Sequence, residues 1–377
     1  MKIAFDLRRV KNPGIGRYMK CLVEAILALA REHEYLLILP PDAPGIVRPS
    51  GSRVEEVVSP LKYYSVGEQI GLPRILSSHK VDLLHSPHFN VPLASPCPVV
   101  ATFHDVIYLA CKEDLPSRLG RVYYRAMMDA AVRRADAIIT VSEFSRSEIA
   151  RFLPAASAKV EVIHSGIDDG FTRVDDVKQA QRALTSCGIS GEYILYTGIY
   201  KPRKNHVGLL RAFQHFLKIG AQAQLVIAGP MAEGERELRR LALELGIASH
   251  VVFTGLVDDA GLRALYSAAR VYACPSLYEG FGFTVLEAMA CGTPVVSSPE
   301  TSLPEVAGDA ALYADARNPE AFGSAMHRVF TGPALSEQLV DAGYINLKRF
   351  SWADAAERTL EVYQRVAGTT VQGVAYA

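Results

Sequence analysis

Tyr278-Glu279-Gly280-Phe281-Gly282-Phe283-Thr284-Val285-Leu286-Glu287, continued by Ala288-Met289-Ala290-Cys291-Gly292-Thr293-Pro294, is the stretch whose reading decides the fold. Residues 271–276 ahead of it and 294–297 behind it are short apolar runs of buried-strand character. The whole reads as strand, loop, helix, strand. Gly280 and Gly282 strip side chains from alternate loop positions, so backbone amides can approach a ligand where a helix starts near Thr284. A helix N-terminus carries unpaired N–H groups and a partial positive charge, which suits phosphate. Glu279 stands at the loop entrance and Glu287 inside the helix. Carboxylates only accept hydrogen bonds, so both are suited to sugar or ribose hydroxyls. The plain alternative is a capped helix after a glycine turn, with Glu287 an ordinary solvated residue.

At 377 residues the chain exceeds the size of one growing core, so two domains are expected. Lys plus Arg and Asp plus Glu each total 40, a net charge of zero that gives no footprint for duplex nucleic acid. Cys21, Cys97, Cys111, Cys187, Cys274 and Cys291 are scattered without a Cys-x-x-Cys pair, as befits free thiols in a reducing compartment. Asp6, Arg8 and Arg9 interrupt any apolar leader, and no apolar run reaches the roughly 18 residues of a membrane span. A cytoplasmic protein is expected.

Strands are predicted over residues 2–7, 34–40, 53–58, 81–85, 98–103, 135–141 and 159–164, with helices over 17–31, 65–78 and 117–134. That alternation is the pattern of a doubly wound parallel sheet. The loop Asn12-Pro13-Gly14-Ile15-Gly16 lacks the third glycine of a dinucleotide fingerprint, Met19 standing there. Arg8, Arg9, Lys11 and Arg17 around it are either a solvated loop or a surface for an anionic acceptor. His85 and His88 flank Pro87, which prevents helical facing, so loop histidines fit better than a metal pair. The strand ending in Phe103-His104-Asp105 puts polar groups where open α/β sheets bind ligands; the alternative is a turn capped by Asp105. Arg118, Arg121 and Arg125 share a helix face, read either as solvated or as a contact for an anionic lipid-linked acceptor at a membrane.

The second half repeats the rhythm. Strands are predicted over 193–197, 224–229, 251–256 and 271–275, with helices from about His206 and over 235–246, 260–268, 319–330 and 334–349. Gly198-Ile199-Tyr200-Lys201-Pro202-Arg203-Lys204-Asn205 brings Arg203 and Lys204 to a helix start, where positive charge opposes the dipole unless an anion is near. Phe350-Ser351-Trp352 opens a last helix with Ser351 as N-cap.

The Glu279-to-Glu287 spacing with its Gly-Phe-Gly-Phe and Glu-Ala-Met-Ala-Cys-Gly-Thr-Pro-Val-Val sequences resembles the Glu-x7-Glu signature of the group 1 (family 4) retaining glycosyltransferases. The stretches around Gly14, His104, Ser142, Lys204 and Gly255 resemble further motifs of that family in the expected order. The resemblance implies an α/β GT-B fold: two Rossmann-like, doubly wound parallel-sheet domains facing a central cleft. It implies an acceptor-side domain over 1–172, a nucleotide-sugar-binding domain over 173–350, and a C-terminal helix in 351–377 crossing back to the first domain, followed by a tail. By the same resemblance the donor is held by Gly14, Gly16, Gly198, Arg203, Lys204, Gly229, Leu256, Glu279, Gly280, Phe281, Gly282, Phe283, Thr284 and Glu287. Lys204 would hold the diphosphate, Glu287 the donor ribose and Glu279 sugar hydroxyls, with His104 against the transferred sugar and Asp105 near the acceptor hydroxyl. Ile199 stands where many members have arginine, so Arg203 would supply the second cation.

The activity so implied is transfer of a hexose, mannose from GDP-mannose as first choice, to a saccharide acceptor, with a polyprenyl-diphosphate-linked acceptor and peripheral contact with the inner face of the membrane left open. No Asp-x-Asp metal motif is evident, which agrees with a leaving group stabilised by protein cations and with no cofactor. A nucleotide-sugar 2-epimerase of the same architecture and a non-catalytic sugar-nucleotide binding protein are the alternatives.

Overall fold

The computed structural model describes residues 1–12, 14–47, 53–174, 176–231 and 234–368. The tail after residue 368 and part of the expected crossing at 168–178 lie outside the described residues. The chain divides into two compact units, Met1–Gly166 with the chain from Phe350 onward, and Ile167–Arg349. The sequence boundaries at 172/173 and 350/351 fall a few residues from these.

The first unit is built on β1 (Lys2–Asp6), β2 (Glu34–Leu39), β3 (Arg53–Val58), β4 (Leu83–Ser86), β5 (Val99–Thr102), β6 (Ala137–Thr140) and β7 (Val160–Val162), in spatial order β3-β2-β1-β4-β5-β6-β7. All its pairings are parallel. Inner strands such as Leu83–Ser86 and Val99–Thr102 are buried throughout, because helices cover both faces of a parallel sheet and leave no polar alternation. Edge strand β3 carries Arg53, Glu55 and Glu56 on exposed positions, which discourages pairing with another chain.

The second unit has β8 (Tyr193–Thr197), β9 (Gln224–Ala228), β10 (Val251–Gly255), β11 (Val271–Cys274), β12 (Val295–Ser297) and β13 (Ala311–Tyr313), in order β10-β9-β8-β11-β12-β13. They too pair in parallel. Both sheets wind outward from an inner strand and then reverse. In the first, the chain runs from β1 through β2 to β3 and returns to β4 on the other side of β1; in the second, β8 and β11 are the neighbours between which the order reverses. Such a switch point opens a crevice at the carboxyl ends of its two strands, where doubly wound sheets bind ligands.

The helix Trp352–Ala367, capped by Ser351, belongs to the first unit. Its Tyr363 hydroxyl hydrogen-bonds His85 Nδ1 at 2.5 Å, and His85 Nε2 meets the Thr102 hydroxyl at 2.9 Å. Both ring nitrogens of His85 are thereby committed to packing. Among the described residues no group of three or more His, Cys, Asp or Glu side chains could hold a metal ion, and no helix is long and apolar enough to cross a membrane.

Candidate functional site

The β8/β11 switch point gathers most of the residues singled out by the sequence. After β8 the chain forms a tight turn, Pro202–Lys204, and Asn205 then takes the left-handed conformation (φ 55°) as N-cap of the helix His206–Lys218. The Asn205 amide donates to the Ala316 and Pro275 carbonyls, at 2.8 and 3.3 Å, which ties this turn to the exit of β11. The Leu277 N–H donates to the Arg203 carbonyl at 2.7 Å, closing the same contact from the other side. Lys204 Nζ therefore lands against Glu279 Oε1, while Arg203 stands 3.7 Å from Oε2. All three side chains are largely buried.

Burial pushes the Glu279 carboxyl up, but Lys204 and Arg203 more than offset it and hold it below the usual carboxylate range. Two cations thus stand against one carboxylate. Arg203 and Lys204 at a helix start need an anion nearby, and Glu279 is that anion. Its backbone is fixed as well: the Glu279 N–H donates to Thr301 Oγ1 at 3.0 Å, and the Ser302 hydroxyl lies within hydrogen-bond distance of the Glu279 and Phe281 carbonyls.

Gly282 turns the loop through φ 116° into the helix Phe283–Ala290, whose start has no side-chain cap. Phe281 and Phe283 pack edge to face at 5.1 Å. Glu287 is not a solvated helix residue: it is buried and accepts a hydrogen bond from Tyr266 Oη at 3.0 Å. Tyr266 in turn meets Thr197 Oγ1 at 2.7 Å, and Thr197 meets Tyr272 Oη at 3.2 Å. Burial, with the Glu287 charge nearby, drives the Tyr266 phenol well above its ordinary pKa, so it stays a donor. This hydroxyl chain was not legible in the sequence, its members being spread over two strands and two helices.

Gly198 and Gly229 directly follow β8 and β9, and a Cβ on Gly229 would come 2.2 Å from the Gly198 carbonyl oxygen. Only glycine permits that backbone contact. Leu256, just past β10, is 81% exposed.

The first unit treats its predicted residues differently. Arg8 is neither solvated nor open to a ligand: it is buried in ion pairs with Asp6 (2.7 Å) and Glu68, and donates to the Leu61 carbonyl. Lys11 pairs with Asp42 at 2.7 Å on the surface. Gly14 N-caps the helix Ile15–Leu29 with φ 75°, whereas a Cβ on Gly16 would sit 2.0 Å from the Val10 carbonyl, so Gly16 serves the loop's own close turn.

His104 follows β5. Its Nε2 lies 3.1 Å from the Pro87 carbonyl, which can only accept, so the ring hydrogen is on Nε2 and Nδ1 keeps its lone pair. Burial lowers its pKa to about 4, leaving a neutral imidazole with an acceptor nitrogen at pH 7. Tyr18 packs edge-on against it at 4.6 Å, and the Ser145 hydroxyl holds its carbonyl at 3.0 Å. Asp105 Oδ1 accepts the Ile107 N–H at 3.0 Å, a turn cap.

Residues 189–345 match the family described as glycosyl transferases group 1, and residues 14–171 match glycosyltransferase family 4. The O-antigen chain mannosyltransferase B of Escherichia coli is 31% identical over 383 residues, covering 97% of this chain and 100% of that protein. Among solved structures, sucrose-phosphate synthase from Thermosynechococcus elongatus superposes with a TM-score of 0.77 at 22% identity, covering 98% of this chain and 100% of that one. Anabaena HepE, crystallised with UDP and glucose, gives 0.75 at 19% identity over 97% of this chain and 100% of its own. At those identities the likeness is one of fold.

Proposed function

The chain belongs to the group 1 glycosyltransferases of family 4, and from that premise we propose that it transfers mannose from GDP-mannose to a saccharide acceptor in polysaccharide assembly. The observation that carries the donor half of this reading is the convergence of Lys204 and Arg203 on one buried carboxylate at the β8/β11 switch point. A pair of cations held by a fixed turn, with a single negative charge between them, is a prepared position for a diphosphate.

The chemistry follows from those groups. As the anomeric carbon–oxygen bond breaks, negative charge grows on the departing nucleoside diphosphate and the sugar gains oxocarbenium character. Lys204 and Arg203 meet that growing charge, which is the role otherwise given to a divalent ion, so we take transfer to proceed without one. Diphosphate binding draws both cations away from Glu279, whose carboxylate then accepts from hydroxyls of the transferred sugar. Glu287, steadied by Tyr266, accepts from the ribose. His104 Nδ1 offers an acceptor to a sugar hydroxyl, and its low pKa keeps that lone pair available across the neutral range. Retention at the anomeric carbon follows the family and is part of the proposal.

The proposal extends to a lipid-linked acceptor met in the cytoplasm at the inner face of the membrane. On the helix Arg118–Arg134, Leu119 is 83% and Val122 68% exposed, and Arg118, Arg121 and Arg125 line a shallow groove with Val122. Exposed apolar side chains among arginines favour an anionic bilayer surface. Sedimentation with anionic but not zwitterionic vesicles supports this part, and equal sedimentation or none contradicts it. For the reaction itself, the test is product formation from GDP-, UDP- and ADP-hexoses with a mannose-terminated oligosaccharide, with and without EDTA. Transfer from GDP-mannose that survives EDTA is expected; no transfer and no nucleotide binding would remove the reading.

A further inference from the structure

The β1/β4 switch point of the first unit holds a second polar cluster. Arg8 and Arg9 follow β1; His88 and Asn90 follow β4; Tyr63, Tyr64 and Glu68 come from the turn and helix between β3 and β4. Counted as ions, Asp6 and Glu68 balance Arg8 and Arg9, so the cluster is neutral. Arg8 is fully engaged with both carboxylates, and Glu68 Oε2 also accepts from Asn90 Nδ2 (2.7 Å) and the Tyr64 N–H (2.8 Å). That part of the cluster is satisfied.

The part around Arg9 and His88 is not. His88 Nδ1 accepts the Asn90 N–H at 3.1 Å, while its Nε2 lies 2.8 Å from the Arg9 guanidinium, which has only hydrogens to give. A neutral imidazole has one hydrogen and one lone pair, so donors on both sides leave one N–H opposed to another. Protonating the ring would add a third unwelcome charge, and burial with Arg9 close by holds its pKa well below the ordinary value. Beside this conflict, Asn90 Oδ1 and the Tyr63 hydroxyl are buried with no hydrogen-bond partner. Asn90 is 1% exposed. The walls are aromatic: Arg9 lies over the rings of Tyr63 (4.7 Å) and Tyr64 (5.3 Å), and Tyr64, 40% exposed, stacks near Phe89 at 6.0 Å.

We infer that Arg9, His88, Asn90 and Tyr63 form a subsite for a neutral sugar, reading the hydroxyls of the saccharide acceptor. The word acceptor rests on the glycosyltransferase reading above; the subsite itself rests on these side chains. A guest hydroxyl oxygen accepts from the opposed Arg9 and His88 donors and resolves their conflict. Sugar hydroxyls also donate, which gives Asn90 Oδ1 the hydrogen it lacks, and ring C–H faces suit tyrosine walls. A fully ionised phosphate does neither: it cannot donate to Asn90 Oδ1, and it would sit against Glu68 and Asp6 in a cluster with no charge surplus. This differs from the anionic acceptor that Arg8, Arg9, Lys11 and Arg17 suggested in the sequence.

The test is saturation-transfer NMR on the full chain with methyl mannoside, glucoside and galactoside as probes, inorganic phosphate as the anionic competitor, and GDP added in a separate arm. At least one glycoside should bind, undisturbed by phosphate or GDP, and its affinity should fall about tenfold in Tyr63→Phe and in Arg9→Met. Tyr63→Phe removes only an unpaired hydroxyl, so the fold survives it and a purely structural tyrosine would leave binding unchanged. Absence of glycoside binding in the wild type, full binding in Tyr63→Phe, or displacement by phosphate overturns the inference. GDP that fails to bind while the glycoside behaves as described removes the donor reading and leaves the subsite standing.

Discussion

The exits of β1 and β4 in one unit and of β8 and β11 in the other are equivalent places in two doubly wound sheets, yet their charges are arranged for different guests. At β8/β11, Lys204 and Arg203 both stand against Glu279, two cations to one carboxylate. At β1/β4, Arg8 pairs with Asp6 and Glu68 while Arg9 lies against His88, two cations to two carboxylates, and the unmet needs are for a hydroxyl group. Topology sets where a ligand can bind; the balance of fixed charge and unpaired polar atoms sets which. The first arrangement suits a diphosphate, the second a sugar.

Removing a cation from each place should give opposite results. Arg8→Met leaves Asp6 and Glu68 buried without a countercharge and should cost about 3–5 kcal/mol in a urea melt, since breaking a buried ion pair exposes its partner's desolvation. Lys204→Ala should instead lower turnover by about 10²–10³-fold, the scale for losing one donor to developing charge. Its melt should move less than that of Arg8→Met, because Arg203 still faces Glu279. If Arg8→Met spares stability, or Lys204→Ala spares turnover, the contrast fails.

Acid should separate the units next. Burial holds His85 at about 3 and His104 at about 4, with His88 well below its ordinary value, all in the first unit; in the second unit His206 is lowered to about 4. A folded pKa below the unfolded value near 6.5 means that, between the two, the unfolded chain takes up protons that the folded one refuses. Stability is therefore intact above pH 6.5 and is lost as pH falls toward 4, at up to about 1.4 kcal/mol per pH unit for each histidine. Burial lowers His33 of the first unit as well, and four such histidines against one predict that amides of the first unit lose protection first on acidification, as read by hydrogen exchange at pH 7, 6 and 5. Simultaneous loss in both units would contradict this. The smallest effect expected is for Glu287→Gln, which keeps the Tyr266 contact in shape but halves the accepting capacity: nucleoside diphosphate affinity should drop about tenfold by calorimetry, with glycoside binding in the first unit unchanged.

Much of the donor side could be read from sequence because its parts are local. β8 and the start of the His206 helix fall on the expected residues, and Glu279 and Glu287 lie on one loop and one short helix. The sequence also anticipated that Arg203 and Lys204 need an anion, though not that Glu279 provides it across the turn. The sugar-reading cluster was hidden for the opposite reason. Arg8 and Glu68 are far apart in sequence, and a charged residue on an amphipathic stretch reads as solvated until the fold buries its partner beside it. Glu68 fills the place of a first-turn acid behind the Ser65 cap, but its carboxylate is spent on Arg8, Asn90 and Tyr64. Short elements escaped too: β13 has only three residues, Ala311–Tyr313, and no apolar period can be read from so few.

Hydrogen exchange with each ligand in turn tests the division between the two places most directly. The account predicts that GDP protects backbone amides around residues 198–205 and 276–290 while leaving 8–12 and 86–92 unchanged, and that the bound methyl hexoside does the reverse. Protection of one and the same segment by both ligands, or GDP protection at 86–92, would contradict it.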